Sequence, residues 1–404
     1  MTTLTNNSGE AVLTLSGRLD TAATKEVNDK IEQLLAEAGN INSLTVDAEA
    51  LEYISSSGLR ILLSMAKRYK DFRIINVNAE VYDVLNMTGF SKIMHVERAL
   101  RSLSVEDCEV IGIGGVGTVY RLDGDTIIKV FREGTTLDEV RSEITMSKEA
   151  FVMGMPTAIS FDVVRVASPH SGGREGGYGL VYELLEAKTL SACIAHEPER
   201  LDEFACQYAA LFRQLHDIKV PADSSVPSAL KHEREQVRHI RRYFPQESID
   251  LLMQILDAVP EERRLLHLDL QTKNAMVQNG ELMLIDMGEV GYGHPMLDLA
   301  HAYSAMVSFV GDYEGTIGLP RPLGKQLWER TIGYYFEGLP ADVVEFRKRQ
   351  IEAVSCIRRF SWLALSDSFP ETVVNECKAL FEQVLSSRRD YLLDICRTLK
   401  DWTL

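Results

Sequence analysis

Apolar and polar residues alternate through AVLTLSG, SLTVDA and FRIINV, a spacing of two that predicts half-buried strands. Between them, TKEVNDKIEQLLAEAG, SSGLRILLSMAKRYK and AEVYDVLNMTGF carry apolar residues every third or fourth place, which predicts amphipathic helices. With KIMHVER closing the series, residues 11 to 103 read as a compact α/β unit. Around Ser102 to Glu106 the pattern changes to short strand-like stretches running to residue 131. TTLDEVRSEITMSKEAFVMG then reads as a helix stopped by Gly154 and Pro156, and FDVVRVA and GLVYELLEA as strands. The segment HSGGREGGYG between those strands has the composition of a flexible loop. Residues 200 to 217 and 230 to 257 have helical periodicity, AMVQNGELMLID reads as a hairpin turning at Asn279-Gly280, and residues 323 to 400 are largely amphipathic helix.

Composition narrows the class. A chain of 404 residues with 45% hydrophobic and 25% charged residues is long enough for two or three domains with real cores. No apolar run approaches the roughly 18 residues of a membrane span, and MTTLTNNSGE lacks the basic and apolar regions of a signal peptide, so the expected location is cytoplasmic. Cys108, Cys193, Cys206, Cys356, Cys377 and Cys396 are widely spaced and form neither a C-x-x-C nor a Cys/His grouping, which predicts reduced thiols rather than disulfides or structural zinc. The net charge of −16 argues against non-specific nucleic-acid binding and is compatible with a cationic small substrate. Residues 1 to 103 hold 11 Lys and Arg against 13 Asp and Glu, so nearly all of that charge lies in the remainder of the chain.

Within IGIGGVGTVYRLDGDTIIKVF, the spacing Gly112, Gly114, Gly117 suits two unrelated phosphate sites. In a dinucleotide-binding turn the third glycine lies inside a helix. Here TVYRL and TIIKVF flank Asp123-Gly124, so the glycines open a hairpin, with Asp123-Gly124 expected as its two-residue turn. No G-x-x-x-x-G-K-[ST] occurs either. A glycine-rich hairpin covers a triphosphate because its amides approach the oxygens closely, and Lys129 on the following strand is placed to reach phosphate. Glu143, in the next helix, is a candidate partner for Lys129, with surface charge as the plain alternative. Farther on come His267-Leu-Asp269-Leu-Gln-Thr-Lys-Asn274 and Leu284-Ile285-Asp286-Met287-Gly288. Phosphoryl transfer needs a carboxylate beside the acceptor hydroxyl and oxygen donors for Mg²⁺, and Asp269, Asn274 and Asp286 supply these groups in order.

On these residues, together with Leu215-His216 and Gly293-His294-Pro295-Met296-Leu297-Asp298-Leu299-Ala300, residues 108 to about 400 resemble the aminoglycoside phosphotransferase-like kinases. The resemblance implies an α+β bilobal protein-kinase-like domain over 104–404, with an N-lobe of about 104–186 and a mostly helical C-lobe of about 187–404. It implies ATP and Mg²⁺ as cofactors, Lys129 on the phosphates, Glu143 as its partner, Asp269 as catalytic base, and Asn274 and Asp286 as metal ligands. By the same analogy Tyr182, Glu183, Leu184 and Leu185 form the interlobe hinge that meets adenine, and His267 and Asp298 are structural. Two positions depart from the family pattern: Leu268 replaces its glycine, and Gln271 stands where it carries His, or Lys in protein kinases. Gln271 brings no positive charge to the transferred phosphate.

In Val46-Asp47 through Ser55-Ser56-Ser57-Gly58-Leu59-Arg60, a strand leads through a loop into a helix whose start carries three serines. One serine suffices for an N-cap; a phosphate there would meet free amides and the positive end of the helix. With Gly17-Arg18-Leu19-Asp20 and Asp47, this region resembles the STAS domains of anti-sigma-factor antagonists over residues 1 to 103, which implies an α/β STAS domain and a protein partner switched by phosphorylation, with Ser56 as the candidate. Three functions stay open: a phosphotransferase acting on a small hydroxylated or amino acceptor, with the STAS unit regulating or dimerising it; a signalling kinase acting on Ser56 or on a partner protein; and a non-catalytic nucleotide sensor. Asp312, Glu314 and Glu329 are candidate acids for a cationic acceptor, against a reading as solvated surface.

Overall fold

The computed structural model describes residues 2–167, 177–309, 312–361 and 371–402. The predicted loop HSGGREGGYG lies mostly outside the described residues, as does part of the predicted helical run after residue 360. The chain divides into two units, Met1–Leu103 and Ser104–Leu404.

The first unit is built on a five-stranded sheet. β1 (Thr3–Asn7) and β2 (Glu10–Leu19) form an antiparallel hairpin, and β3 (Ser43–Ile54), β4 (Asp71–Val77) and β5 (His95–Arg98) add in parallel, giving the order β1-β2-β3-β4-β5. The parallel strands are joined by α1 (Thr24–Glu37), α2 (Ser56–Arg68) and α3 (Ala79–Met87). Leu13, Leu44, Val46 and Ile74 of the sheet meet Ile31, Leu62 and Leu85 of the helices in one apolar core. β1 is an addition to the expected pattern. β3 corrects it, for the strand continues through the presumed loop to Ile54.

α2 begins immediately after β3, and the serines divide their labour. Ser55 is the N-cap: its hydroxyl accepts the Gly58 amide at 3.3 Å and donates to the Leu19 carbonyl at 3.0 Å. Ser56 is the first helical residue and is exposed. Gly58 is required by packing, since a Cβ there would lie 2.8 Å from side-chain atoms of both Leu19 and Ile54.

β6 (Arg101–Ser104) runs across the division at Leu103 and is the edge of a sheet whose other strands belong to the second unit, β7 (Val110–Ile113), β8 (Gly117–Arg121), β9 (Thr126–Phe131), β10 (Ser160–Ala167) and β11 (Tyr178–Glu183), in the order β6-β10-β11-β9-β8-β7. α4 (Leu137–Val152) connects β9 to β10. Its start is fixed by a capping box between Thr136 and Glu139.

Gly117 is another packing requirement, because a Cβ there would fall 2.2 Å from the Val130 carbonyl oxygen. The expected Asp123-Gly124 two-residue turn does not form. Leu122 to Asp125 make a four-residue connection in which the Asp123 carboxylate accepts the amides of Asp125 (2.8 Å) and Thr126 (2.7 Å), and Gly124 has no left-handed φ.

The remainder is mainly helical: β12 (Lys188–Thr189), α5 (Leu190–His196), α6 (Leu201–Asp217), α7 (Ala229–Ile240), α8 (Gln246–Ala258), β13 (Arg264–Leu266), β14 (Ala275–Gln278), β15 (Glu281–Leu284), β16 (Gly291–Gly293), α9 (Pro295–Tyr303), α10 (Tyr313–Ile317), α11 (Arg321–Tyr335), α12 (Ala341–Ser361) and α13 (Glu371–Arg397). The single helix expected over 230–257 is two, α7 and α8, because Pro245 cannot donate within a continuous helix. Asn279 and Gly280 both have left-handed φ, +52° and +85°, and close the β14–β15 hairpin in two residues. Among the described residues, no helix is long and apolar enough to cross a membrane.

Ser55→Ala removes about 1 kcal/mol of local stability, so hydrogen exchange of α2 in the full chain should quicken about fivefold, whereas Ser56→Ala should leave it within twofold.

Candidate active site

The site assembles from three stretches of chain, each held by its own local structure. Lys129 lies in the middle of β9, paired with Leu180 on one side and Val119 on the other. Its ammonium donates to Glu143 Oε1 and to Asp286 Oδ1, both at 2.8 Å. Glu143, buried on α4, also accepts the Tyr182 hydroxyl at 2.8 Å. Burial pulls the Lys129 ammonium down, but the two carboxylates outweigh it and hold its pKa above the usual value. Burial and the same Glu143 charge push the Tyr182 phenol well up, so it remains a donor.

Asp286 has a left-handed backbone, φ +65°, directly after β15. Aspartate tolerates this conformation better than most residues.

The segment from His267 to Asn274 follows β13, and almost every polar group in it has a buried partner. Asp298, fully buried at the start of α9, accepts the amides of His267 (3.1 Å) and Leu268 (2.8 Å), and His216 Nε2 lies 3.3 Å away. Burial raises the Asp298 carboxyl, yet the hydrogen bond and charge of His216, with the charge and amide of His267, bring it below its usual range. His267 is fully buried; its Nε2 is 3.1 Å from the Ile285 carbonyl and its Nδ1 accepts the Asp269 amide at 3.2 Å. Tyr208 donates to the Leu270 carbonyl at 2.7 Å, and Asn274 Nδ2 donates to both the carbonyl and Oδ2 of Asp269 at 2.8 Å. The Asp269 carboxyl lies above its usual range, chiefly through burial. Asp286 and Glu289 add to the shift, and Arg358 and His267 oppose it.

Leu268, at the position where the resemblance calls for glycine, has φ +62° and is buried. The glycine-to-leucine departure therefore falls at a residue that needs the left-handed region. Gln271 carries its side-chain oxygen buried without a hydrogen-bond donor among the described residues.

Other expected residues are arranged as follows. Gly112 lies in β7 and Gly114 begins the β7–β8 turn, where its amide donates to the Gly117 carbonyl at 2.9 Å. At the hinge, the Glu183 amide donates to Ile159 O (2.9 Å) and the Leu184 amide to Asp125 O (2.7 Å), so both are already committed within the protein. Of the proposed acceptor-binding acids, Asp312 caps α10 through the Gly315 amide, and Glu329 is paired with Lys348 at 2.7 Å on an exposed surface. Among the described residues, no bond joins either to the His267–Asn274 segment. The sequence reading missed Arg358 on α12, Glu233 on α7 and His301 on α9, because nothing local marks one buried charge among many helical ones.

A model of the STAS domain matches residues 2–103, and a model of the phosphotransferase enzyme family (APH) matches residues 107–329, more than half of the chain. The chain belongs to the phosphotransferase enzyme family. It joins a STAS domain to a phosphotransferase domain.

Similar solved structures include a choline/ethanolamine kinase family protein from Mesorhizobium loti, with 15% identity, a TM-score of 0.48, and coverage of 72% of this chain and 92% of that one. Another is the ADP-bound aminoglycoside phosphotransferase APH(2'')-Ib, with 13% identity, a TM-score of 0.46, and coverage of 80% and 98%. No curated protein matches the sequence.

His294, the N-cap of α9, makes the phosphotransferase domain sensitive to acid. Its Nδ1 accepts the Met296 amide at 3.1 Å, and burial, with positive charge from His216, Arg347 and Arg264 nearby, brings its pKa down to about 3. Below its ordinary value of 6.5 the unfolded chain takes up a proton that the folded chain refuses, so stability is full above that pH and falls on acidification. The expected contribution is a loss of about 1.4 kcal/mol per pH unit between about pH 6 and 3. Urea unfolding followed by tryptophan fluorescence should show that slope reduced by this amount in His294→Asn, which retains a capping acceptor.

Proposed function

We propose that the chain transfers the γ-phosphoryl group of Mg·ATP to a hydroxyl or amino group of a small molecule. The observation that carries this reading is the double ion pair of Lys129 with Glu143 and Asp286, which links the strand after the glycine hairpin to the acidic residue after β15. In it, Glu143 and Tyr182 keep Lys129 extended toward the phosphates, and the β7–β8 turn with Gly112, Gly114 and Gly117 covers them. Tyr182 to Leu185 border the adenine, where the amides of Glu183 and Leu184 are occupied and the Leu185 amide is the donor left for the base.

Asn274 and Asp286 would hold Mg²⁺. Both offer hard oxygen atoms: Asn274 spends its nitrogen on Asp269 and leaves its carbonyl oxygen, while Asp286 keeps one carboxylate oxygen off Lys129. Few protein oxygens plus phosphate is the donor set this ion prefers. When bound, the ion supplies neutralisation of phosphate charge.

Asp269 accepts the proton of the acceptor hydroxyl as its oxygen bonds to phosphorus and the bond to the ADP oxygen breaks. Asn274 holds the Asp269 carboxylate from one oxygen, leaving the other for that proton. Gln271 contributes no charge to the transferred group.

The STAS unit serves in this reading as a regulatory or protein-interaction domain, through a partner or a second copy. One observation favours a second reading, in which the domain is a signalling kinase and Ser56 an acceptor. Because Ser55 takes the capping role, the exposed Ser56 hydroxyl is not needed by the fold. A phosphate at that first helical residue would also meet the positive end of α2.

Intact-mass and peptide analysis after incubation with Mg·ATP separates these readings. Asp269→Asn should lower phosphoryl transfer about 10²–10⁴-fold. Transfer to a pooled metabolite extract with the protein itself unmodified supports the small-molecule acceptor. Phosphate on Ser56 that disappears in both Asp269→Asn and Ser56→Ala supports the signalling kinase, and ATP binding without any transfer supports a nucleotide sensor and overturns both.

A further inference from the structure

Beside the His267–Asn274 segment lies a buried carboxylate–imidazole contact that the chemistry above does not use. Glu233 and His301 are 1% and 5% exposed, and His301 Nε2 lies 2.9 Å from Glu233 Oε1. A lone carboxylate in such an interior is costly, and the close imidazole offsets part of that cost, although neither Glu233 oxygen meets a donor in hydrogen-bond geometry among the described residues. Burial raises the Glu233 carboxyl, but His301, Arg358 and His232 bring it below its usual range. The other ring nitrogen of His301, Nδ1, is 2.6 Å from the carbonyl oxygen of Leu268.

Leu268 is where such a contact has work to do. A non-glycine residue in the left-handed region costs about 1–2 kcal/mol, and Leu268 sits there at φ +62°. Such a conformation persists only when its surroundings over-determine it. Three restraints meet at this residue. Asp298 holds its amide at 2.8 Å, His301 holds its carbonyl, and its side chain packs into space left by Gly291, where an added Cβ would stand 3.2 Å from Leu268 Cδ1. The carbonyl held by His301 belongs to the peptide that leads into Asp269. Rotation of that peptide turns the Asp269 amide away from His267 Nδ1 and re-aims the carboxylate.

We infer that Glu233 and His301 are positioning residues: together they lock the Leu268–Asp269 peptide and so aim Asp269, offsetting the absence of glycine at position 268. The inference rests on the reading of Asp269 as the base, and it is specific to a chain carrying leucine there.

A double-mutant cycle on the full chain tests it, using His301→Gln, Leu268→Gly and the combination, with Mg·ATP consumption and urea unfolding as readouts and Asp269→Asn as the reference. His301→Gln should lower kcat about tenfold or more, as expected for a misplaced catalytic group, with KM for ATP within about twofold. Glu233→Gln should behave the same way, to a smaller degree. On the Leu268→Gly background, adding His301→Gln should cost less than about threefold in kcat, and its cost in unfolding should shrink likewise. Equal losses in both backgrounds, or a rise in KM matching the fall in kcat, overturn the inference. If Asp269→Asn turns over ATP like the wild type, the base assignment fails instead, and the unfolding cycle still decides whether His301 and Leu268 are coupled. A His301→Gln chain that folds only when combined with Leu268→Gly supports the inference; one that folds in neither background overturns it.

Discussion

One buried carboxylate governs the course of the His267–Asn274 segment. Asp298 is sealed from solvent, and a charge there is tolerable only if its oxygens are occupied. They are occupied by the amides of His267 and Leu268, with His216 alongside, and this sets the course of the backbone as it leaves β13. Once those two peptides are placed, Asp269 follows, and Asn274 reaches back across five residues to hold it. The arrangement is held because its hydrogen-bond partners come from elements packed in one core: Tyr208 from α6, Asp298 and His301 from α9. Removing one member of such a set costs more than its hydrogen bonds alone, since the remaining partners stay buried and unsatisfied.

The second organising contact is Lys129 with its two carboxylates. The helix that presents Glu143 is also held farther along, where Glu149 accepts the Ser224 and Ser225 hydroxyls and the Ser225 amide. The Glu149 carboxyl stays below its usual range because those donors outweigh its burial. The short stretch after α4 is tied down as well, with Thr157 donating to the Leu284 carbonyl at 2.9 Å, two residues before Asp286. Lys129, Glu143 and Asp286 therefore meet as the consequence of several bonds around α4, and the ion pair itself need not supply the placement.

Much of this was legible in the sequence where a local rule sufficed. The strands and helices of residues 11 to 103 follow from periodicity, and Asn279-Gly280 makes the two-residue turn that its composition implies. Asp123-Gly124 has equal credentials and does something else, because the Asp123 side chain captures two amides and Asp125 gives its carbonyl to Leu184. Tertiary bonding overrode turn propensity there. The residues of the candidate site stand out in the sequence because their types and order are chemically restrictive, and the structure brings Lys129, Glu143 and Asp286 together, and Asp269 with Asn274. The supporting charges do not stand out: Glu233, His301 and Arg358 acquire meaning only when helices separated by tens of residues are packed together.

The two departures from the family pattern are different in kind. Leucine at 268 is a conformational problem, and conformational cost can be offset by any set of bonds that holds the backbone, as Asp298 and His301 do. Glutamine at 271 is a chemical change, since no neutral amide neutralises phosphate. A cation does act on Asp269 from elsewhere: Arg358, on α12, opposes the rise of its carboxyl and approaches Glu289 to 3.8 Å. A cation brought in by a C-terminal helix is positioned by tertiary packing rather than by the loop itself. Packing of α12 against α9 and α7 thus bears on the charge balance around Asp269 as well as on stability.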